Sequence, residues 1–133
     1  MSLHGFNHFT IRAQNVDETI AFYVDVLGMR MGSRPSFENP GFWLYCGVTP
    51  VIHLFDGKHQ EVYVGNIEQT TRGSGSVDHI AFSGDDYEAM RQHLEAIGVT
   101  YKVLKLPELD VDQLFVEDPN GLMVEMQFPR EVA

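Results

Sequence analysis

The chain runs twice through the order strand, helix, strands, and this duplication constrains its fold more than any other feature. In the first pass, "FNHFTIRA" (residues 6–13) alternates and carries β-branched residues, as a strand does. "NVDETIAFYVDVLGM" follows. Asn15 and Glu18 form a capping-box-like start, Ile20, Tyr23, Val24 and Leu27 fall at helical spacing, and Gly28 supplies the stop. "FWLYCG" and "PVIHLFDG" read as two strands joined by a tight turn at Val48-Thr49-Pro50.

In the second pass, "VDHIAFSG" is a strand and "DDYEAMRQHLEAIG" a helix. Asp85 is its expected cap, with Glu88 three places later; Tyr87, Met90, Leu94 and Ile97 share one face, and Gly98 ends it. "DQLFVEDPNGLMVEMQF" is a hairpin turned by Asp-Pro-Asn-Gly. His8 thus matches His79, Gly28 matches Gly98, and His53 matches Glu125. Each half is a βαβββ-like unit too small to bury its own sheet face, so two such units must pack together. Helices and strands mix without regular βαβ alternation, which makes the class α+β. The spacing predicts one domain: module one over about residues 4–56, a connector over 57–76, and module two over about 77–129.

At 133 residues the chain can bury one real hydrophobic core and is too short for two ordinary domains. A net charge of −10 argues against a nucleic-acid partner, which needs clustered Lys and Arg. No apolar run reaches the length of a membrane span, and "MSLHGFNHF" lacks the basic-then-apolar pattern of a signal peptide. A single cysteine, Cys46, cannot close an internal disulfide, which fits a reducing cytoplasm. Cys46 is expected as a small, buried or half-buried hydrophobe, and Phe37, Phe42 and Trp43 as core aromatics.

Glu125 stands in the middle of the apolar run "LMVEMQF", where an ionised carboxylate is costly unless paired or bound to a cation. The repeat singles out three companions: His8, His53 and His79. Period-two alternation puts His8 with Thr10 and Arg12, His53 with Val51 and Phe55, His79 with Val77 and Ala81, and Glu125 with Met123 and Gln127. Two curved sheets facing a common cavity would let all four converge. Imidazoles with one carboxylate are a ligand set for Zn²⁺, Fe²⁺, Mn²⁺, Ni²⁺ or Co²⁺. Taken singly, a strand histidine is more often a hydrogen-bonded, partly buried residue than a ligand, and Glu125 alone fits a solvent face beside Gln127; together on repeat-matched strands they are harder to dismiss. Arg12 is a candidate clamp for a substrate carboxylate, and equally a surface ion-pair partner. His4, His59 and His93 are expected outside any site. No Ser-His-Asp order, P-loop or dinucleotide fingerprint is present.

"NHFTIRAQNVDETIAFYVDVLGM", "VDHIAFSGDDYEAMRQHLEAIGV" and "FVEDPNGLMVEMQF" together resemble the vicinal oxygen chelate superfamily over nearly the whole chain. That superfamily includes glyoxalase I, fosfomycin-resistance proteins, methylmalonyl-CoA epimerase, bleomycin-binding proteins and extradiol dioxygenases. The resemblance implies paired βαβββ modules forming a cupped mixed sheet around a divalent metal, a small-molecule substrate and a homodimer. It implies metal ligands at His8, His53, His79 and Glu125. Glyoxalase I usually carries Glu where this chain has His53, and the asparagine expected shortly afterwards is replaced within "HLFDG". "SRPSFENPGFWLYCGVTPVIHLF" is more similar to glyoxalase-like members of uncertain substrate. Arg12 falls where bacterial glyoxalase I has an arginine that engages the glutathione carboxylate.

Three functions follow as expectations. The first is a metal-dependent lyase or isomerase acting through a chelated enediolate, with Glu125 as base or, as the alternative, a metal-bound hydroxide with His53 assisting proton transfer. The second is Fe²⁺ extradiol-type dioxygenation, with His8, His79 and Glu125 as ligands and His53 crowding a position such enzymes leave open. The third is non-catalytic binding of a small molecule, as in drug-resistance proteins.

Overall fold

The structure is a computed structural model that describes residues 1–36, 40–58 and 72–130. Phe37, His59 and most of the expected connector lie outside the described residues. The chain divides into two units, Met1–Thr71 and Arg72–Ala133. Each is built as strand, helix, three strands, so the class is α+β with two four-stranded mixed sheets.

In module one, β1 (Phe9–Ala13) leads to α1 (Val16–Ala21), β2 (Arg30–Gly32), β3 (Phe42–Cys46) and β4 (Thr49–Asp56). The sheet order is β1-β4-β3-β2, with β1 and β4 parallel and the other neighbours antiparallel. Ile11, Ala13, Leu44, Ile52 and Leu54 are buried. Alternation therefore commits Thr10, Arg12 and His53 to the opposite face. Asn15 caps α1 as expected, its Oδ1 accepting from Glu18 N–H at 2.9 Å. The helix then widens into a π turn over Phe22–Val26, which inserts a residue and turns the apolar stripe. The buried set is Thr19, Phe22 and Tyr23 instead of the expected Ile20, Tyr23, Val24 and Leu27.

The β3–β4 turn also differs from expectation. Cys46 pairs with Thr49, so the loop is Gly47-Val48, and Thr49 and Pro50 already belong to β4. Gly47 at φ 59°, followed by a residue of ordinary φ, fits a type II′ hairpin. Cys46 ends an exposed strand tip and is itself exposed, not core. Phe42 is exposed and Trp43 half-buried, so neither aromatic fills the core.

Module two contains β5 (Ile80–Ser83), α2 (Tyr87–Ala96), β6 (Lys102–Leu106), β7 (Val111–Glu117) and β8 (Met123–Pro129). Its order, β5-β8-β7-β6, and its one parallel pair, β5 with β8, reproduce module one. Leu94, Leu114, Val116, Val124, Met126 and Phe128 form its core. The α2 cap is Asp86, not Asp85: in a left-handed conformation, its carboxylate accepts from Ala89 N–H at 3.0 Å. Glu88 instead pairs with Arg91 and Gln92 on the exposed face. Of the expected helix face, Leu94 is fully buried and Ile97 is exposed. The glycines that close the helices, Gly28 and Gly98, adopt φ 78° and 74°, which other residues enter only with strain.

The β7–β8 turn is held by a side chain. Asp118, 4% exposed, accepts from Asn120 N–H at 2.8 Å and Leu122 N–H at 2.9 Å through Oδ1. Its own N–H donates to the Leu122 carbonyl at 2.9 Å. This hairpin fixes β8, and hence Glu125, in register with β7.

Candidate functional site

The two parallel strand pairs place the polar residues on corresponding rungs. Thr10 faces His53 across β1 and β4, and Ala81 faces Glu125 across β5 and β8. His8 lies two residues before Thr10 and His79 two before Ala81. Both fall one residue ahead of the first assigned strand residue, not within the strand as the pattern predicts. His53 and Glu125 are interior to β4 and β8. The match of His8 with His79 and of His53 with Glu125 is therefore a match of register.

In module two the pair meets atom to atom. His79 Nε2 lies 3.3 Å from Glu125 Oε1, and Glu125 is 7% exposed. The other ring nitrogen, Nδ1, lies 2.8 Å from Asp78 Oδ2. That hydrogen bond, with help from the Glu125 charge, raises the His79 pKa against a smaller opposing effect of desolvation. Phe115, the rung partner of Glu125, meets the His79 ring edge-on with centroids 6.1 Å apart. The cost of burying Glu125 is thus offset by an imidazole held to face it.

In module one the corresponding pair meets face to face. The His8 and His53 rings stack with centroids 3.6 Å apart and planes inclined by 16°. Trp43, the rung partner of His53 on β3, covers the other face at 4.1 Å and 8°. His53 is therefore the middle of three stacked rings. Burial, then the neighbouring His8, drives its pKa down to about 4, although a backbone hydrogen bond with Pro50 works the other way. His53 is neutral at pH 7. Its Nε2 is buried and has no hydrogen-bond partner among the described residues. His8 Nδ1 lies 2.6 Å from Asn7 Oδ1, so His8, like His79, is anchored by the residue before it.

Asn7 and Asp78 were not singled out by the sequence reasoning, yet the repeat carries them: "FNHF" aligns with "VDHI". A metal-bound histidine characteristically gives its second nitrogen to such an oxygen acceptor, which fixes the tautomer. Arg12, expected on the His8 face, is half-buried on β1 with its guanidinium 5.5 Å from the Phe55 ring centroid. His93 and His4 are exposed, as expected.

The donor chemistry of the second pair suits a divalent ion. Two donors about 2.1 Å from one ion and roughly 90–110° apart lie about 3.0–3.4 Å from each other, which brackets the observed Nε2–Oε1 separation. Among the described residues no group of three or more His, Cys, Asp or Glu side chains is gathered for a metal; the polar residues form one pair in each module. The first pair does not suit joint ligation. A ring nitrogen binds along its lone pair, in the ring plane, and two nearly parallel planes this far apart do not meet within coordination distance.

Two βαβββ modules, each with its four-stranded mixed sheet, define the glyoxalase type of fold. The chain belongs to the Glyoxalase/Bleomycin resistance protein/Dioxygenase superfamily, which matches residues 5–126. It is 32% identical over 129 residues to Glyoxylase I 4 of Arabidopsis thaliana, covering 95% of this chain and 71% of that protein. It is 27% identical over 148 residues to a lactoylglutathione lyase of Schizosaccharomyces pombe, spanning 95% of this chain and 48% of the relative. The fold matches a glyoxalase family protein of Bacillus anthracis with a TM-score of 0.75, 24% identity and 98% of each chain covered. Among the described residues no helix is long and apolar enough to cross a membrane.

Proposed function

We propose that this chain is a divalent-metal-dependent lyase or isomerase for a small oxygenated substrate, with thiol adducts of 2-oxoaldehydes as the leading substrate class. The observation that carries this reading is the Glu125–His79 pair, a buried carboxylate facing an anchored imidazole nitrogen. Kinship with a lactoylglutathione lyase supports the substrate class. His79 and Glu125 hold the ion with a module-one imidazole, in whatever association of modules, within a chain or across a homodimer, brings them together. When bound, Zn²⁺, Ni²⁺, Fe²⁺, Mn²⁺ or Co²⁺ supplies Lewis-acid polarisation of neighbouring substrate oxygens.

Glu125 takes the proton from carbon, a role for a carboxylate shielded from bulk water. His53, neutral and with Nε2 lacking a hydrogen-bond partner among the described residues, assists that transfer by accepting a hydrogen bond from a substrate hydroxyl. Arg12, on the same sheet face, binds a substrate carboxylate. The test is isomerisation of hemithioacetals with each of the five metals supplied in turn. Turnover with at least one is expected; none with any of them rejects this substrate class.

The stacked pair favours one second reading. With His53 turned away from coordination, His8, His79 and Glu125 remain as two imidazoles and a carboxylate, the set that opens Fe²⁺ to a catechol and oxygen. Anaerobic Fe²⁺ loading followed by catechol and oxygen discriminates, since ring opening gives a yellow product.

A further inference from the structure

We infer that His53 is not a metal ligand but a positioning residue, which holds the His8 ring so that His8 alone supplies the module-one nitrogen. The inference rests on the proposed metal site and departs from the assignment that the resemblance gives to this position. It starts from the stack. Trp43, His53 and His8 lie face to face, at 4.1 and 3.6 Å, with inclinations of 8° and 16°. One ion therefore takes His8 or His53, not both.

Three observations choose His8. First, it is the register counterpart of His79 and shares its anchoring: Nδ1 of each meets a side-chain oxygen of the preceding residue, leaving Nε2 as the nitrogen to meet an ion. Second, His8 is half-buried and His79 is exposed, so an ion there can keep the open positions a catalytic site needs. Third, the Nε2 of His53, an interior residue of β4, is shut away from solvent, and its ring is covered on one face by Trp43 of β3 and on the other by His8. That site suits a hydrogen bond from one substrate group better than an ion with its remaining water. Carboxylate at this strand position would reach toward an ion without stacking on anything; imidazole stacks. The chain has thereby exchanged a ligand for a flat support behind His8, whose ring precedes β1 and lacks a strand's restraint.

The experiment uses the whole protein with ¹⁵N-labelled histidine, and reads imidazole nitrogen shifts as Zn²⁺ is added to the metal-free form. Expected is a move of Nε2 in His8 and His79 to the metal-bound range, with His53 keeping its neutral tautomer. A matching move of His53 Nε2, with or without His8, overturns this inference while leaving the metal site intact. No move of any imidazole at saturating Zn²⁺ removes the proposed metal site, and this inference with it. A pair of variants supplies a second reading, by chelator competition for Zn²⁺. His53→Phe keeps a flat ring in the stack and should hold affinity within about threefold, whereas His53→Ala removes the support and should lose about tenfold or more. Equal losses in both variants would show that the nitrogen, not the ring, is what the ion needs.

Discussion

Module one and module two share element order, strand order, the parallel outer pair and the rung on which the key residue lies, yet their polar pairs behave differently. In module two, imidazole and carboxylate approach edge to edge, with Nε2 3.3 Å from Oε1. In module one, two imidazoles lie flat against each other and against Trp43. Strand order and rung pairing are the same, so the difference comes from the side chains on the rung, His53 with Trp43 against Glu125 with Phe115. A carboxylate has no face to stack and seeks a donor or cation; a neutral imidazole in a ring-lined site gains most by stacking. A duplicated fold therefore guarantees matching positions and leaves matching roles to side-chain chemistry.

The largest effect should come from Glu125. Glu125→Gln keeps the shape, removes the charge and base, and should lower turnover of a hemithioacetal by about 10²–10⁴-fold. Steady-state kinetics on the metal-supplemented variant checks it; near-normal rates would break the proposed division of labour. Next come the anchors. Asp78→Ala should weaken metal binding by about 10–100-fold, and Asn7→Ala by less, since Asn7 offers no charge to its imidazole. Metal competition against a chelating dye measures both, and a larger loss in the Asn7 variant would reverse the weighting of the modules.

The two hairpins extend the contrast to stability. Asp118→Ala strips a buried acceptor from two backbone N–H groups and should cost about 1–3 kcal/mol in urea unfolding. Gly47→Ala in the module-one turn meets no neighbour within 4 Å, so only the left-handed φ matters, at about 1–2 kcal/mol. If Gly47→Ala proves the costlier, the module-two hairpin is not the more firmly held of the two.

Smallest is the pH dependence of the metal-free protein. His53, at about 4 against an ordinary 6.5, stays neutral where the unfolded chain takes up a proton. Its contribution is present above about 6.5 and is lost as pH falls toward 4. His79 is raised, so its contribution is present below 6.5 and is lost as pH rises through its folded pKa. Unfolding midpoints taken with chelator across this range should show His53→Phe flattening the acid side and Asp78→Asn the other. Effects of the same sign in both variants would contradict the two environments.

The repeat made the modules legible, because strand alternation, helix spacing, Gly28 and Gly98 and the Asp118 turn all write themselves into residue type. It also singled out His8, His53, His79 and Glu125, since matched positions in two copies narrow the choice, and these four meet in one pair per module. What escaped lies in finer geometry. The π turn after α1 depends on packing of Phe22 and Tyr23, and period alone gave a straight helix. Asp85 and Asp86 are equal as caps by residue type; the left-handed backbone at Asp86 decides. Cys46 and Phe42 look apolar in isolation, but fall at an exposed strand tip and an outer rung. The stack was out of reach because ring orientation depends on Trp43, which was expected in the core.

Elemental analysis of gently purified protein, alongside Glu125→Ala, tests the central claim most directly. A stoichiometric divalent metal in the native chain, lost from the variant, is the predicted result. A native chain that retains no divalent metal after supplementation, or a variant that holds as much as the native chain, would contradict it.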